Sequence, residues 1–292
     1  MKQGIHKFVI GIGSQRAAST LLHSLLSESS EAFMHPVKEL HYFDTLFGIR
    51  PQLALTEFSS RQLMREIDHI VSATDFGFIG RRYKCMLRTN RILATHPIEK
   101  VDYLDLFRPF LRDRKVLGEV TPEYMLMDEN QAARMREVVG EDAAIILMCR
   151  NPVKRVLSAA KLFNVYNNLR MDSSQMTAWL VSMMEQTNQW MAAQDSYNDY
   201  ERAIRIFSGL FPNFLALSYD ALIQSPVLAA ESVARVTGLN IDVEKFRQGV
   251  EKRVNALQSD EIDDPQITRA LEKRYAKTFE FLQGKFDFAL SR

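Results

Sequence analysis

Lys38-Glu39-Leu40-His41-Tyr42-Phe43-Asp44 puts four charged or readily charged side chains into seven positions. That is proton-transfer chemistry. Glu39 is a candidate general base for an acceptor hydroxyl or amine if desolvation raises its pKa. His41 is the competing base, because an imidazole titrates closest to neutrality. A second stretch, Arg150-Asn151-Pro152, precedes an apolar-periodic segment carrying Ser158. Ser158 lies seven residues after Asn151, about two helical turns, so it returns to the same helix face. An arginine, whose guanidinium can grip a phosphate bidentately, and that serine can hold one phosphate from two sides. The third stretch is Gly13-Ser14-Gln15-Arg16-Ala17-Ala18-Ser19-Thr20. It is a turn of mostly small residues with one cation and, at its end, two hydroxyls, Ser19 and Thr20, as a phosphate cradle requires.

Each stretch needs an element to aim it. The apolar run over residues 8–12 reads as a buried strand, broken at Gly13, with a helix beginning near Ser19 and Leu21, Leu22, Leu25 and Leu26 inside. Residues 32–34 form a short strand leading into the Lys38 segment, and 115–120 a strand stopped by Thr121-Pro122. Residues 143–149 are the strongest strand, ending where Asn151 caps a helix that has Pro152 in its first position. Helices are expected over 59–72, 98–112, 152–164, a long one within 173–207, 226–237 and 265–283, with 73–97 irregular and a last strand at 214–217. Strands alternating with helices predict an α/β fold, a three-layer α/β/α sandwich with a mostly parallel central sheet and a helix-rich C-terminal half. Ligands bind such sheets beyond the carboxyl ends of the strands, and all three polar clusters fall there.

The 292 residues are 46% hydrophobic and 25% charged, near the globular average, so disorder is not expected and the length is ample for a core. No repeat or linker interrupts them, so one domain over residues 1–292 is expected. A net charge of +1 argues against bulk binding to nucleic acid or an anionic membrane, so any anion site is local. Two cysteines, Cys85 and Cys149, supply neither a disulfide framework nor a four-ligand zinc site, and Cys149 reads as a core thiol. The first apolar run is five residues long, too short for a signal-peptide core, and no later run reaches the length of a membrane span. The expectation is a cytoplasmic protein without integral membrane association. Five cations between 81 and 91 (Arg81, Arg82, Lys84, Arg88 and Arg91) can receive an anionic acceptor or simply solvate a loop, and the second reading is favoured.

The chain resembles the sulfotransferase family that uses 3′-phosphoadenosine-5′-phosphosulfate (PAPS). That family's 5′-phosphosulfate loop has the form Gly-x-x-Lys/Arg-x-Gly-Thr/Ser-Thr/Ser, matched by Gly13 to Thr20 except at Ala18. Its 3′-phosphate motif, Arg-Asn-Pro-x-x-Arg-x-x-Ser, is matched throughout by Arg150 to Ser158. Lys38 to Asp44 is similar to the Lys-Glu-x-His-Phe/Tyr-Phe segment of the carbohydrate-sulfating branch. Gly118-Glu119-Val120-Thr121-Pro122-Glu123-Tyr124 resembles that branch's Gly-Glu-Lys-Ser/Thr-Pro-x-Tyr, with Val120 where the lysine is usual.

The resemblance implies a P-loop-like fold and in-line sulfuryl transfer from PAPS, releasing adenosine 3′,5′-bisphosphate, without a metal. It implies that Glu39 is the base, that Arg16 and the loop N–H groups meet charge on the leaving phosphate, and that Lys38 and His41 orient the sulfuryl group and acceptor. Arg150 and Ser158 would hold the 3′-phosphate, and Lys252-Arg253 is the candidate for a basic loop closing over the nucleotide. The acceptor is expected to be a sugar, a glycolipid or a small molecule. Two other readings remain: a P-loop kinase of a small metabolite and a non-catalytic nucleotide-binding module. The loop lacks the Gly-Lys-Ser/Thr of the kinase pattern, placing Ala18 and Ser19 where its glycine and lysine would be.

Overall fold

Five short runs of apolar, largely β-branched or aliphatic residues form the strands β1 (Lys7–Gly13), β2 (Ala32–Met34), β3 (Val116–Val120), β4 (Ala144–Cys149) and β5 (Phe214–Ser218). In the computed structural model, which describes residues 6–185, 188–255 and 264–286, they make one all-parallel sheet in the order β2-β3-β1-β4-β5. β1 and β4 are buried on both faces, so neither shows a polar alternation. Alternate side chains enter separate cores. Phe8, Ile10, Ile12, Ile145 and Leu147 face one side, and Val9, Ala144, Ile146 and Met148 the other.

The helices are α1 (Ser19–Ser27), α2 (Tyr42–Leu46), α3 (Gln52–Ser72), α4 (Arg81–Thr95), α5 (Tyr103–Leu106), α6 (Glu129–Val139), α7 (Pro152–Tyr166) and α8 (Ser173–Glu185). They continue as α9 (Gln189–Asn198), α10 (Tyr200–Leu210), α11 (Tyr219–Gln224), α12 (Pro226–Thr237), α13 (Val243–Asn255), α14 (Pro265–Arg274) and α15 (Ala276–Lys285). α5, α6 and α10 contribute to the core on the Ile10 face, while α1, α12 and α13 contribute to that on the Val9 face. The result is the three-layer α/β/α arrangement expected from the alternation of elements. A third apolar cluster joins α7, α8, α9 and α14 through Val156, Leu180, Met191 and Leu271.

Several expected elements differ. Residues 81–95 are helical rather than irregular, because α4 buries Cys85, Thr89, Asn90 and Leu93, a face with helical spacing but little apolar signal. α3 begins at Gln52, seven residues earlier than expected, and buries only Leu55 and Ser59. The helix expected over 98–112 is α5 between two 3-10 turns, Ile98–Lys100 and Arg108–Phe110; Asp102 caps α5, and Pro109 has no N–H to continue it. The long helix within 173–207 is three helices: the Asn188 side chain caps α9 and that of Asp199 caps α10. The helix at 265–283 is likewise two, parted at Tyr275.

Topology sets the position of the site. After β1 the chain leaves towards β2, and after β4 it leaves towards β5, on the opposite side. Adjacent strands whose connections depart in opposite directions open a crevice at their carboxyl ends. Gly13 and Arg150 stand on its two lips. No helix among the described residues is long and apolar enough to cross a membrane.

Candidate active site

The turn after β1 is built from its own backbone. Gly13 has φ 146° and its missing Cβ would lie 2.8 Å from the Pro122 carbonyl, so a side chain there meets backbone. The Ser14 N–H donates to Met148 O (2.8 Å), its hydroxyl to Tyr197 O (2.8 Å), and the Ala17 N–H to Ser14 O (3.1 Å). Ser14 and Ala17, expected in the phosphate cradle, therefore have these donors committed to the turn, and the Ala17 methyl is buried in the core. Arg16 and Ala18 both adopt left-handed backbone, φ 65° and 70°. Ala18 is the N-cap of α1 and has no side-chain oxygen, so no side chain caps the first N–H groups of that helix. A nine-residue helix presenting an uncapped N-terminus attracts an anion. Gln15 is half-buried and Thr20 exposed beside it, with Ser19 buried.

β4 brings the second stretch against the first. Arg16 Nε donates to Ser158 Oγ at 2.9 Å, and an Arg150 terminal nitrogen donates to the Arg16 carbonyl at 2.8 Å. Asn151 Oδ1 accepts from Val153 N and Lys154 N (3.0 and 3.1 Å), the cap read from the sequence. Arg150 Nε is buried without a hydrogen-bond partner. A buried donor left unpaired costs about 1–3 kcal/mol, and a phosphate oxygen is the natural group to satisfy it. The residues present therefore fit phosphate groups, at the Arg150 guanidinium and at the uncapped N-terminus of α1.

The third stretch follows β2. Lys38 Nζ lies 2.9 Å from Glu39 Oε1 and 3.5 Å from Ser19 Oγ, linking this segment to the loop of α1. Glu39 Oε2 is 3.4 Å from His41 Nε2, and His41 Nδ1 donates to Asp44 Oδ2 at 2.8 Å. His41 and Asp44 are buried, while the Glu39 side chain keeps 25% exposure, enough to be reached. Burial alone would push His41 down, but the hydrogen bonds to Asp44 and Glu39 and the Glu123 charge outweigh it and raise its pKa to about 10. Burial would push Glu39 up, but His41 and Lys38 outweigh it and lower its pKa to about 2. At neutral pH the pair is an imidazolium holding a carboxylate.

A layer beneath keeps the segment in place. Glu119, fully buried in β3, accepts from Tyr103 OH (2.7 Å), Thr121 Oγ1 (2.8 Å) and Tyr124 OH (3.0 Å). Thr121 Oγ1 in turn accepts from Leu40 N (3.1 Å) and Tyr124 OH from Tyr42 N (3.1 Å), the backbone either side of His41. Burial raises the Glu119 pKa to about 7 despite its three donors. Glu123, at the exit of β3, points Oε2 to within 3.8 Å of His41 Nδ1. Burial, then the neighbouring Glu39 carboxylate, raises it to about 7. The scaffold role of Glu119 and the place of Glu123 were not expected; a glutamate inside an apolar strand run is the signal that marks the first.

Glu39, His41 and Glu123 each offer an atom within 4.8 Å of the others, a spacing a metal ion can span. A cation there would have to displace the His41 proton and compete with Lys38. Lys252 and Arg253, expected in a basic loop, instead lie in α13, Lys252 exposed, because the apolar spacing of Phe246 and Val250 carries that helix onto the sheet. Residues 256–263, and the side chain of Arg253, lie outside the described residues. Of the cations at 81–91, Arg81 pairs with Asp113 and lies over the Phe110 ring, Arg82 lies over Phe33, and Arg88 donates to the Asp105 carbonyl. These three support the packing of α4.

Comparison with known proteins gives a match to the model of the Sulfotransferase family over residues 9–243. Among solved structures, the chain is similar to a sulfotransferase from Alicyclobacillus acidocaldarius, with TM-score 0.58 and 17% identity over 98% of this chain and 97% of that one. It is similar also to the sulfotransferase domain of the Synechococcus PCC 7002 olefin synthase, with TM-score 0.49 and 18% identity over 94% and 98%. At 17% identity the likeness to the Alicyclobacillus protein is one of fold. No curated protein matches the sequence.

Proposed function

The chain belongs to the sulfotransferase family, and from that premise we propose that it transfers a sulfuryl group from PAPS to a hydroxyl or amine of a carbohydrate or glycolipid. One observation carries the reading. Lys38 touches both the phosphate loop at Ser19 and the carboxylate of Glu39, so a donor on the loop and an acceptor at the base meet within one side chain's reach.

In this reading the acceptor oxygen or nitrogen attacks sulfur as Glu39 takes its proton. The bond from sulfur to the bridging oxygen breaks, and the electron pair leaves with adenosine 3′,5′-bisphosphate. Arg16 and the uncapped N-terminus of α1 stabilise the charge gathering on that phosphate. His41, already protonated, keeps Glu39 ionised and oriented rather than serving as the base. Lys38 turns from Glu39 towards the sulfuryl oxygens, which removes one of the two cations that depress the Glu39 pKa and strengthens it as a base. Arg150 and Ser158 hold the 3′-phosphate and so position the donor. Protein cations fill the role that magnesium plays in kinases, and turnover is expected to survive excess EDTA.

Calorimetry with adenosine 3′,5′-bisphosphate and 5′-AMP tests the donor assignment. The bisphosphate is expected to bind more than about tenfold more tightly, since a charge-assisted contact is worth about 1.5–3 kcal/mol. Equal affinities would remove the 3′-phosphate site.

A further inference from the structure

The two phosphate-binding segments are joined not only to each other but to a common third element. At the junction of α9 and α10, the Tyr197 carbonyl accepts the Ser14 hydroxyl (2.8 Å) and the Tyr200 hydroxyl accepts the Arg150 N–H (3.3 Å). Between these residues, Asn198 donates to the Pro152 carbonyl (3.4 Å) and accepts from Arg155 Nε (2.5 Å). Gln194, one turn earlier, accepts from both terminal nitrogens of Arg155 through its side chain (3.1 Å each) and from one through its carbonyl (3.0 Å). The Arg155 guanidinium also lies 5.8 Å from the centre of the Tyr197 ring.

Arg155 is fully buried, yet among the described residues no carboxylate lies within ion-pair distance of it. Its charge is met by amide and carbonyl oxygens of α9 alone. Such a cation is costly to bury, and α7 already packs Val153, Val156 and Ala160 into the apolar cluster it shares with α8, α9 and α14. What the guanidinium does supply is a rigid fork that fixes α9 to α7 at several points. Since α9 carries Tyr197, the same fork fixes the position of Ser14.

We propose that Arg155, Gln194 and Asn198 are positioning residues that set the separation of the 5′- and 3′-phosphate subsites. The proposal rests on the donor reading above. A nucleoside with two phosphates is a bivalent ligand, and its advantage over either monophosphate depends on the subsites being held at its own span. Asn198 is 1% exposed and Arg155 wholly buried, so neither side chain reaches a ligand in the crevice. Their effect acts through Ser14 and the turn at Pro152.

The experiment measures Kd for adenosine 3′,5′-bisphosphate, 5′-AMP and 3′-AMP with wild type and Asn198→Ala. The variant is expected to weaken the bisphosphate about tenfold or more, the size of coupling seen between residues of one network, while each monophosphate stays within about threefold. Asn198→Asp, which keeps the acceptor for Arg155, is expected to restore most of the ratio. Should Asn198→Ala fail to fold, Gln194→Ala is read by the same ratio. An unchanged bisphosphate affinity, or an equal loss for all three ligands, overturns the proposal while leaving the donor assignment standing. A wild-type protein that does not prefer the bisphosphate overturns both.

Discussion

The two halves of the crevice handle charge in opposite ways. On the side proposed for the nucleotide, two of the bonds that the cations make end on neutral oxygens: Arg16 donates to the Ser158 hydroxyl and Arg150 to a backbone carbonyl. On the acceptor side ions face ions: Lys38 against Glu39, and His41 against Glu39, Asp44 and Glu123. A hydrogen bond to a neutral oxygen is worth about 1 kcal/mol net, so a phosphate readily replaces it. A buried ion pair with one partner removed loses about 3–5 kcal/mol, so the buried pair of His41 and Asp44 keeps its arrangement while the more exposed Lys38 can turn. One half is made to exchange partners and the other to keep its protons.

The sharpest way to break this contrast is at the base. Glu39→Gln removes the proton acceptor but keeps its size, and kcat is expected to fall about 10²–10⁴-fold, with bisphosphate affinity unchanged. If that variant turns over normally while His41→Ala is inactive, the imidazole is the base and the assignments reverse. On the other half, Arg150→Ala is expected to weaken adenosine 3′,5′-bisphosphate by about 10–150-fold, from the loss of about 1.5–3 kcal/mol. 5′-AMP affinity should hardly move; a parallel loss for both nucleotides would mean that Arg150 shapes the crevice rather than reading the 3′-phosphate.

The paired ions also make stability depend on pH. His41 is raised from 6.5 to about 10, so its contribution is complete below pH 6.5 and is lost as pH rises to 10. Glu119 and Glu123, raised from 4.5 to about 7, act in the same direction over pH 4.5–7, since the fold favours their protonated forms. Glu39, lowered to about 2, opposes them below pH 4.5, and the buried His35, lowered by burial from 6.5 to about 3, opposes them up to pH 6.5. The Tm of wild type should therefore decline as pH rises from about 6.5 into the alkaline range. The gap between wild type and His41→Gln should narrow towards pH 10, and melting curves that stay parallel across that range would contradict the pairing. The smallest effect lies at Ala18. Left-handed backbone costs a non-glycine residue about 1–2 kcal/mol, against about 0.4–1 kcal/mol for the added freedom of glycine in the unfolded chain. Ala18→Gly is expected to raise the Tm by a few degrees; a lowered Tm would show that the methyl packs usefully.

Much of this was legible in the sequence because it is contiguous. The strands announce themselves as apolar runs ended by Gly13, Thr121-Pro122 and Asn151-Pro152, and the three polar clusters stand directly behind β1, β2 and β4. What escaped depends on tertiary contact. α4 has a buried face of Cys85, Thr89 and Asn90, residue types that carry no apolar period. Tyr197 serves the loop through its carbonyl, which any residue possesses. Glu119 acts through two hydroxyls on two backbone amides, a relation visible only when β3 lies beside the Lys38 segment.

Arg16 and Arg150 are 134 residues apart in the chain and meet only where β1 pairs with β4. During synthesis the phosphate loop and the base emerge long before the strand that completes them. In the proposed reading, nucleotide affinity thus arrives late, as a property of chains that have closed the centre of the sheet. Because a ligand bound only to the native form stabilises it in proportion to ln(1 + [L]/Kd), the cell's own sulfate donor would act on newly made molecules as an inspector. It would favour those whose two central strands are joined and offer nothing to those still open.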